Sequence, residues 1–126
     1  MGILFPDSPS ARRSKLTYIT VAEDIERVQI CFSGEIDLAT SDLIDVAVCE
    51  ALLFHHPRHV EVDLAEVRFL DASGIRVLLH CRERSLEVGC QFTVSNPQPL
   101  IYRILELTDV LVTLAVTAVE GTRVKR

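Results

Sequence analysis

Stretches with a hydrophobic period of about two alternate along this chain with stretches whose period is near 3.6, which leaves few ways to fold. "ERVQICFSG" sends Val28, Ile30 and Phe32 one way and Gln29, Cys31 and Ser33 the other, the mark of a half-buried strand. It is preceded by "KLTYITVAE", rich in threonine, tyrosine, isoleucine and valine, a second strand joined to it through a short polar link at Asp24. The period then lengthens in "DLIDVAVCEALLFHHP": Ile44, Val48, Ala51 and Leu52 form one face of a helix, Thr40 or Ser41 can cap it, Asp42 and Asp45 favour its dipole, and Pro57 ends it.

"RHVEVDL" returns to alternation, with Val60, Val62 and Leu64 inward, and "AEVRFLDASG" reads as the loop that follows. A second helix runs to about Val88 with Ile75, Leu78, Leu79 and Leu86 on one face, and Gly89 stops it. "CQFTVS" is a fourth strand. Asn96 as cap and Pro97 open a third helix through Leu107, and "VLVTLAV" is a final strand. The order is β-β-α-β-α-β-α-β, which predicts an α/β domain with three to four helices. Its sheet is mixed and mostly parallel, because strands joined through helices cross over in parallel and only the opening hairpin is antiparallel. Residues 14–117 form this domain, and residues 1–13 and 118–126 read as polar tails.

The charge balance narrows the partners. Eighteen acidic and 13 basic side chains give a formal charge of −5, unlike the basic face of a phosphate-backbone binder. No apolar run approaches the roughly 20 residues that cross a bilayer, and Pro6 breaks the opening apolar stretch, which lacks the basic start of a signal peptide. A cytoplasmic protein with no direct nucleic-acid or membrane partner follows. Cys31, Cys49, Cys81 and Cys90 form no Cys-x-x-Cys pair, and no histidine spacing matches them, so neither a metal nor another cofactor is expected.

The chemistry concentrates in "LDASGIRVLL". Ser73 opens the second helix between Asp71 and Gly74, where backbone N–H groups lack internal partners. Asp71 or Ser73 can serve as the cap, and Gly74 leaves the hydroxyl unscreened beside it. Loops after successive parallel strands gather at one sheet edge, which puts Asp37 of "SGEIDLAT" on the same rim as Asp71 and Ser73. A hydrolase serine needs a base in reach and an elbow of the Gly-x-Ser-x-Gly type. No glycine stands two residues before Ser73, and His80 is about 10 Å down the same helix axis.

"VDLAEVRFLDASGIRVLL", "GEIDLAT" and "NPQPLIYRILELTDV" together resemble, in order, three signature stretches of the STAS domain family, in particular bacterial anti-sigma factor antagonists. The resemblance spans about residues 14 to 117. It implies a non-catalytic switch. The unmodified antagonist binds an anti-sigma factor that is also a serine kinase and so frees a sigma factor; phosphorylation of the antagonist dissolves the complex, and a serine phosphatase resets it. Carried over by position, Ser73 is the phosphoacceptor, Asp37 the aspartate beside it and Asp71 the one preceding it. Ala72 departs from the family's Asp-Ser-Ser-Gly, where it replaces the first serine. Thr40, Gly74, Ile36, Leu38, Arg76 and Leu70 are the candidate rim around the acceptor. A STAS scaffold subunit of a stress-sensing or transporter-associated complex is the alternative, and self-association into a homodimer stays open.

Overall fold

The structure, a computed structural model, describes residues 15–117. Four strands form one sheet in the order β1-β2-β3-β4: β1 (Leu16–Ala22), β2 (Arg27–Ile36), β3 (His59–Leu70) and β4 (Gln91–Ser95). The hairpin β1–β2 is antiparallel, and β2–β3 and β3–β4 are parallel. Three helices complete the domain: α1 (Asp42–His55), α2 (Ala72–Glu87) and α3 (Pro99–Leu107).

The period-two reading of β2 holds, with Val28, Ile30 and Phe32 essentially inaccessible and joined in the core by Val60, Val62 and Leu64 of β3 and Phe92 and Val94 of β4. α1 and α2 pack against one another and against the sheet. From α1 the core takes Ile44, Ala47, Val48 and Ala51. The opposite sheet face is polar: Gln29 Nε2 donates to Glu61 and Asp63, Ser95 Oγ to Glu61, and Asn96 Nδ2 to Asp63. Each buried polar group there has a partner, as a polar face inside a fold requires.

Four expectations are corrected. The "AEVRFL" stretch is strand, not loop. β3 carries two extra residues against β2, with register shifts between Cys31 and Ser33 and between Gly34 and Glu35, so burial falls on Leu64, Val67 and Leu70 at every third position. Such bulges break the alternation that marks a strand in sequence. Second, α2 buries Leu78 and packs Ile75 and Leu79 against the core as expected, but Leu86 is exposed and the rest of the inward stripe is the small residues Gly74, Cys81 and Ser85, set close against the sheet.

Third, α3 starts later than Pro97: Gln98 is its N-cap and Pro99 its first residue, while Asn96 takes a positive φ of 55°. Fourth, "VLVTLAV" forms turns rather than a strand, with Leu114 N–H donating to the Val110 carbonyl and Val116 N–H to that of Leu111. Val110 and Leu114, four residues apart, are the buried pair, a helical spacing hidden in a β-rich composition. The chain then meets β4 through one parallel bridge, Ser95 with Thr117. The expected tails, residues 1–13 and 118–126, lie outside the described residues.

Gly34 sits where β1 crosses β2 with φ of 125°, and a Cβ there would stand 2.1 Å from the Lys15 carbonyl oxygen. Gly89, past the end of α2, has φ of 77° and open space around it. Urea unfolding therefore separates the two: Gly34→Ala costs at least about 2 kcal/mol, and Gly89→Ala about 1 kcal/mol, the backbone term alone.

Candidate functional site

β2 and β3 end level. Ile36 pairs with Leu70, and the next residue of each strand is an aspartate, Asp37 and Asp71. The Asp71 N–H donates to the Ile36 carbonyl at 3.2 Å, which ties the two exits together. Parallel pairing thus sets both acidic residues at the carboxyl ends of adjacent strands, where α/β folds collect their functional groups.

Each aspartate organises its own turn. Asp71 is the N-cap of α2: its Oδ1 accepts from the Ser73 N–H at 3.0 Å and the Gly74 N–H at 3.3 Å, satisfying two of the helix's open donors. The Ser73 hydroxyl donates to the same oxygen at 2.6 Å. Asp37 does the equivalent before α1, where its Oδ1 accepts from the N–H groups of Ala39 and Thr40. Thr40 closes that turn: its hydroxyl donates to the Glu35 carbonyl at 2.8 Å and accepts from the Asp37 N–H at 3.0 Å. Ser41 occupies the N-cap of α1 without a side-chain cap bond, so Asp37 and Thr40 hold the chain there.

Exposure sorts the candidate rim. Ser73, Asp71, Asp37 and Thr40 are half-buried, while Ala72, Arg76 and Leu38 are exposed, Leu38 at 80%. Ile36 and Leu70, expected on the rim, belong to the core at 0% and 2% exposure. Their alternation places them on the helix-covered side, so they support the rim from below. Phe69, overlooked in the sequence, is 48% exposed one residue before the site. The β3 bulge turns it outward, and no spacing rule signals such a turn.

Gly74 is also corrected. It is buried, and its role is contact rather than openness: a Cβ would meet Leu70 Cδ1 at 2.4 Å and Ile36 Cγ2 at 2.7 Å. Glycine lets the first turn of α2 sit directly on the ends of β2 and β3. Ser73, half-buried, stands on this turn between the exposed Ala72 and the buried Gly74.

Glu35, on the last stretch of β2, accepts from the Lys15 N–H and pairs with Arg68 across the strands. These contacts, the Lys15 N–H first, hold its carboxyl below the usual range. A groove of about 610 Å³ runs between β1 and the start of α1, lined among others by Leu16, Thr40, Leu43 and Val46. The histidines sit apart: His80 contacts Arg84, and His59 contacts Thr93. The Ser73 hydroxyl has its carboxylate partner, Asp71, in its own turn. Among the described residues, no His, Cys, Asp and Glu group could hold a metal ion.

Two substitutions separate capping from packing. Asp71→Ala removes the cap and costs about 1 to 2 kcal/mol. Gly74→Ala forces Leu70 and Ile36 aside and costs about 1 to 3 kcal/mol. Chemical denaturation reads both, and a neutral Gly74→Ala would contradict the contact.

Comparison with known proteins extends the picture. A family model described as STAS domain matches residues 18–120. The chain is 29% identical over 76 residues to an anti-sigma F factor antagonist of Paenibacillus polymyxa, a match covering 60% of this chain and 65% of that protein, so it spans less than two-thirds of that relative. Among solved structures, an anti-sigma factor antagonist from Mycobacterium paratuberculosis superposes with a TM-score of 0.72 at 24% identity, covering 82% of this chain and 86% of that one. The anti-sigma factor antagonist SpoIIAA in its unphosphorylated form superposes with a TM-score of 0.68 at 19% identity, covering 87% and 95%. These likenesses establish a common fold. The family match spans the sheet, all three helices and both aspartate turns: the chain belongs to the STAS domain family.

Proposed function

We propose that this chain is an anti-sigma factor antagonist switched by phosphorylation of Ser73. Unphosphorylated, it binds an anti-sigma factor with serine kinase activity and releases a sigma factor; phosphorylated, it lets go until a serine phosphatase restores it. It acts in the cytoplasm and catalyses nothing itself. One observation carries the reading: a half-buried serine hydroxyl stands on the first turn of a 16-residue helix, beside two aspartate turns and the exposed Leu38 and Arg76. The relative named an anti-sigma F factor antagonist and the antagonist folds support the same class.

The electrostatics explain how one phosphate acts as a switch. A phosphoserine adds about −1.5 to −2 charges at neutral pH. Asp71 already takes the Ser73 and Gly74 N–H groups and the serine hydroxyl, so a phosphate on that hydroxyl loses its contact with Asp71 and meets a like charge. It turns outward, into the surface that a partner covers. Desolvating it there without a matched cation destabilises the complex, and a loss of about 4 kcal/mol weakens binding about a thousandfold.

Affinity measurements with the wild-type chain, Ser73→Ala and Ser73→Asp test the proposal, after pulldown from the native cytoplasm identifies the partner. Wild type and alanine capture an ATP-binding serine kinase, and aspartate binds it at least about a hundredfold more weakly. Equal capture of the same partners by all three would make Ser73 part of a helix cap in a STAS scaffold subunit.

A further inference from the structure

The four cysteines sit in unlike surroundings. Burial pushes the Cys90 thiol up, and burial with Asp63 and Glu61 does the same at Cys31 on the polar sheet face. Cys49 is different. It is half-buried on α1, and Arg84 of α2 donates an N–H to its Sγ at 2.9 Å. Cys81, fully buried on α2, completes the group. Both thiols donate to one oxygen, Asp45 Oδ1, at 3.8 Å from Cys49 and 3.9 Å from Cys81. Two thiols, a carboxylate and a guanidinium therefore meet at the seam between the helices.

The Arg84 guanidinium sets a positive charge directly against the Cys49 sulfur, a surrounding typical of reactive cysteines. Cys81 stays protonated, its thiol pushed up to about 12 chiefly by burial and then by Asp45. We propose that Cys49 is a redox-reactive thiol that hydrogen peroxide oxidises, with Cys81 as its resolving partner. The Cys49 thiolate attacks the nearer peroxide oxygen; the S–O bond forms, the O–O bond breaks, and the departing hydroxide takes the proton that Cys49 released and leaves as water. Sulfur is oxidised by two electrons to a sulfenic acid, and the peroxide is reduced. Cys81 sulfur then attacks the sulfenic sulfur. Its proton passes by way of Asp45 Oδ1 to the sulfenic oxygen, which departs as a second water, and a disulfide joins α1 to α2.

The position gives the bond a consequence. Cys49 lies seven residues beyond Asp42 and Cys81 eight beyond Ser73, about 10 to 12 Å down the helices that begin at the two aspartate turns. A bridge there fastens the seam beneath both turns.

Exposing the reduced full chain to hydrogen peroxide and mapping its peptides by mass spectrometry tests this. Cys49 is modified first, and a Cys49–Cys81 disulfide peptide follows. In Cys81→Ser the sulfenic acid persists at Cys49 and is captured by dimedone. Arg84→Gln, which leaves both thiols in place, slows modification of Cys49 about tenfold and leaves Cys31 unchanged. Cys31 reacting as fast as Cys49 in the wild type, or an unchanged Cys49 rate in Arg84→Gln, would overturn the assignment. Oxidation of Cys49 with no bridge to Cys81 would overturn the resolving role.

Discussion

The parallel pairing of β2 with β3 is the constraint on which the remaining structure hangs. Two extra residues in β3 are absorbed as bulges, and the strands still finish together at Ile36 and Leu70. That shared end puts Asp37 and Asp71 at the same edge and gives α2 a floor of two aliphatic side chains. Gly74 is the only residue type whose side-chain volume fits between that floor and the helix. Shift the register of β3 by one residue, and the apolar and polar faces exchange, the floor goes, and Ser73 is no longer held at the rim.

Much of this was legible because one face of β2, β3 and β4 is buried in the core. Val28, Ile30 and Phe32 announce β2, and Val60, Val62 and Leu64 the first half of β3, since a period of about two survives wherever the pleat is regular. The same physics hid the second half of β3. A bulge resets which side a residue faces, so Val67 and Leu70 look like loop and Phe69 carries no label as an outward aromatic. α2 was misread only at its far end: Leu78 is buried as expected, but the inward stripe continues through Cys81 to Ser85, and hydrophobicity alone favours Leu86 over a serine whose hydroxyl bonds the Cys81 carbonyl.

The site shows a similar division. That Asp37, Asp71 and Ser73 gather follows from topology and could be read in advance; that Ile36 and Leu70 lie under the rim instead of on it depends on side-chain direction at the ends of bulged strands. Asp71 is structural and electrostatic at once. As a cap it completes α2, and the same carboxylate holds the serine hydroxyl and opposes any negative group placed on it. A turn that is stable with a neutral hydroxyl and strained by a charged one is a simple basis for a switch.

The most direct test of that account is to treat the chain with the anti-sigma factor kinase proposed as its partner, locate any phosphate by mass spectrometry, and measure the affinity of the purified phosphorylated form for the same kinase. The account predicts one phosphate, on Ser73, and binding weaker by about a thousandfold. A phosphate on another residue, or a Ser73-phosphorylated chain that binds as tightly as the unmodified one, would contradict it.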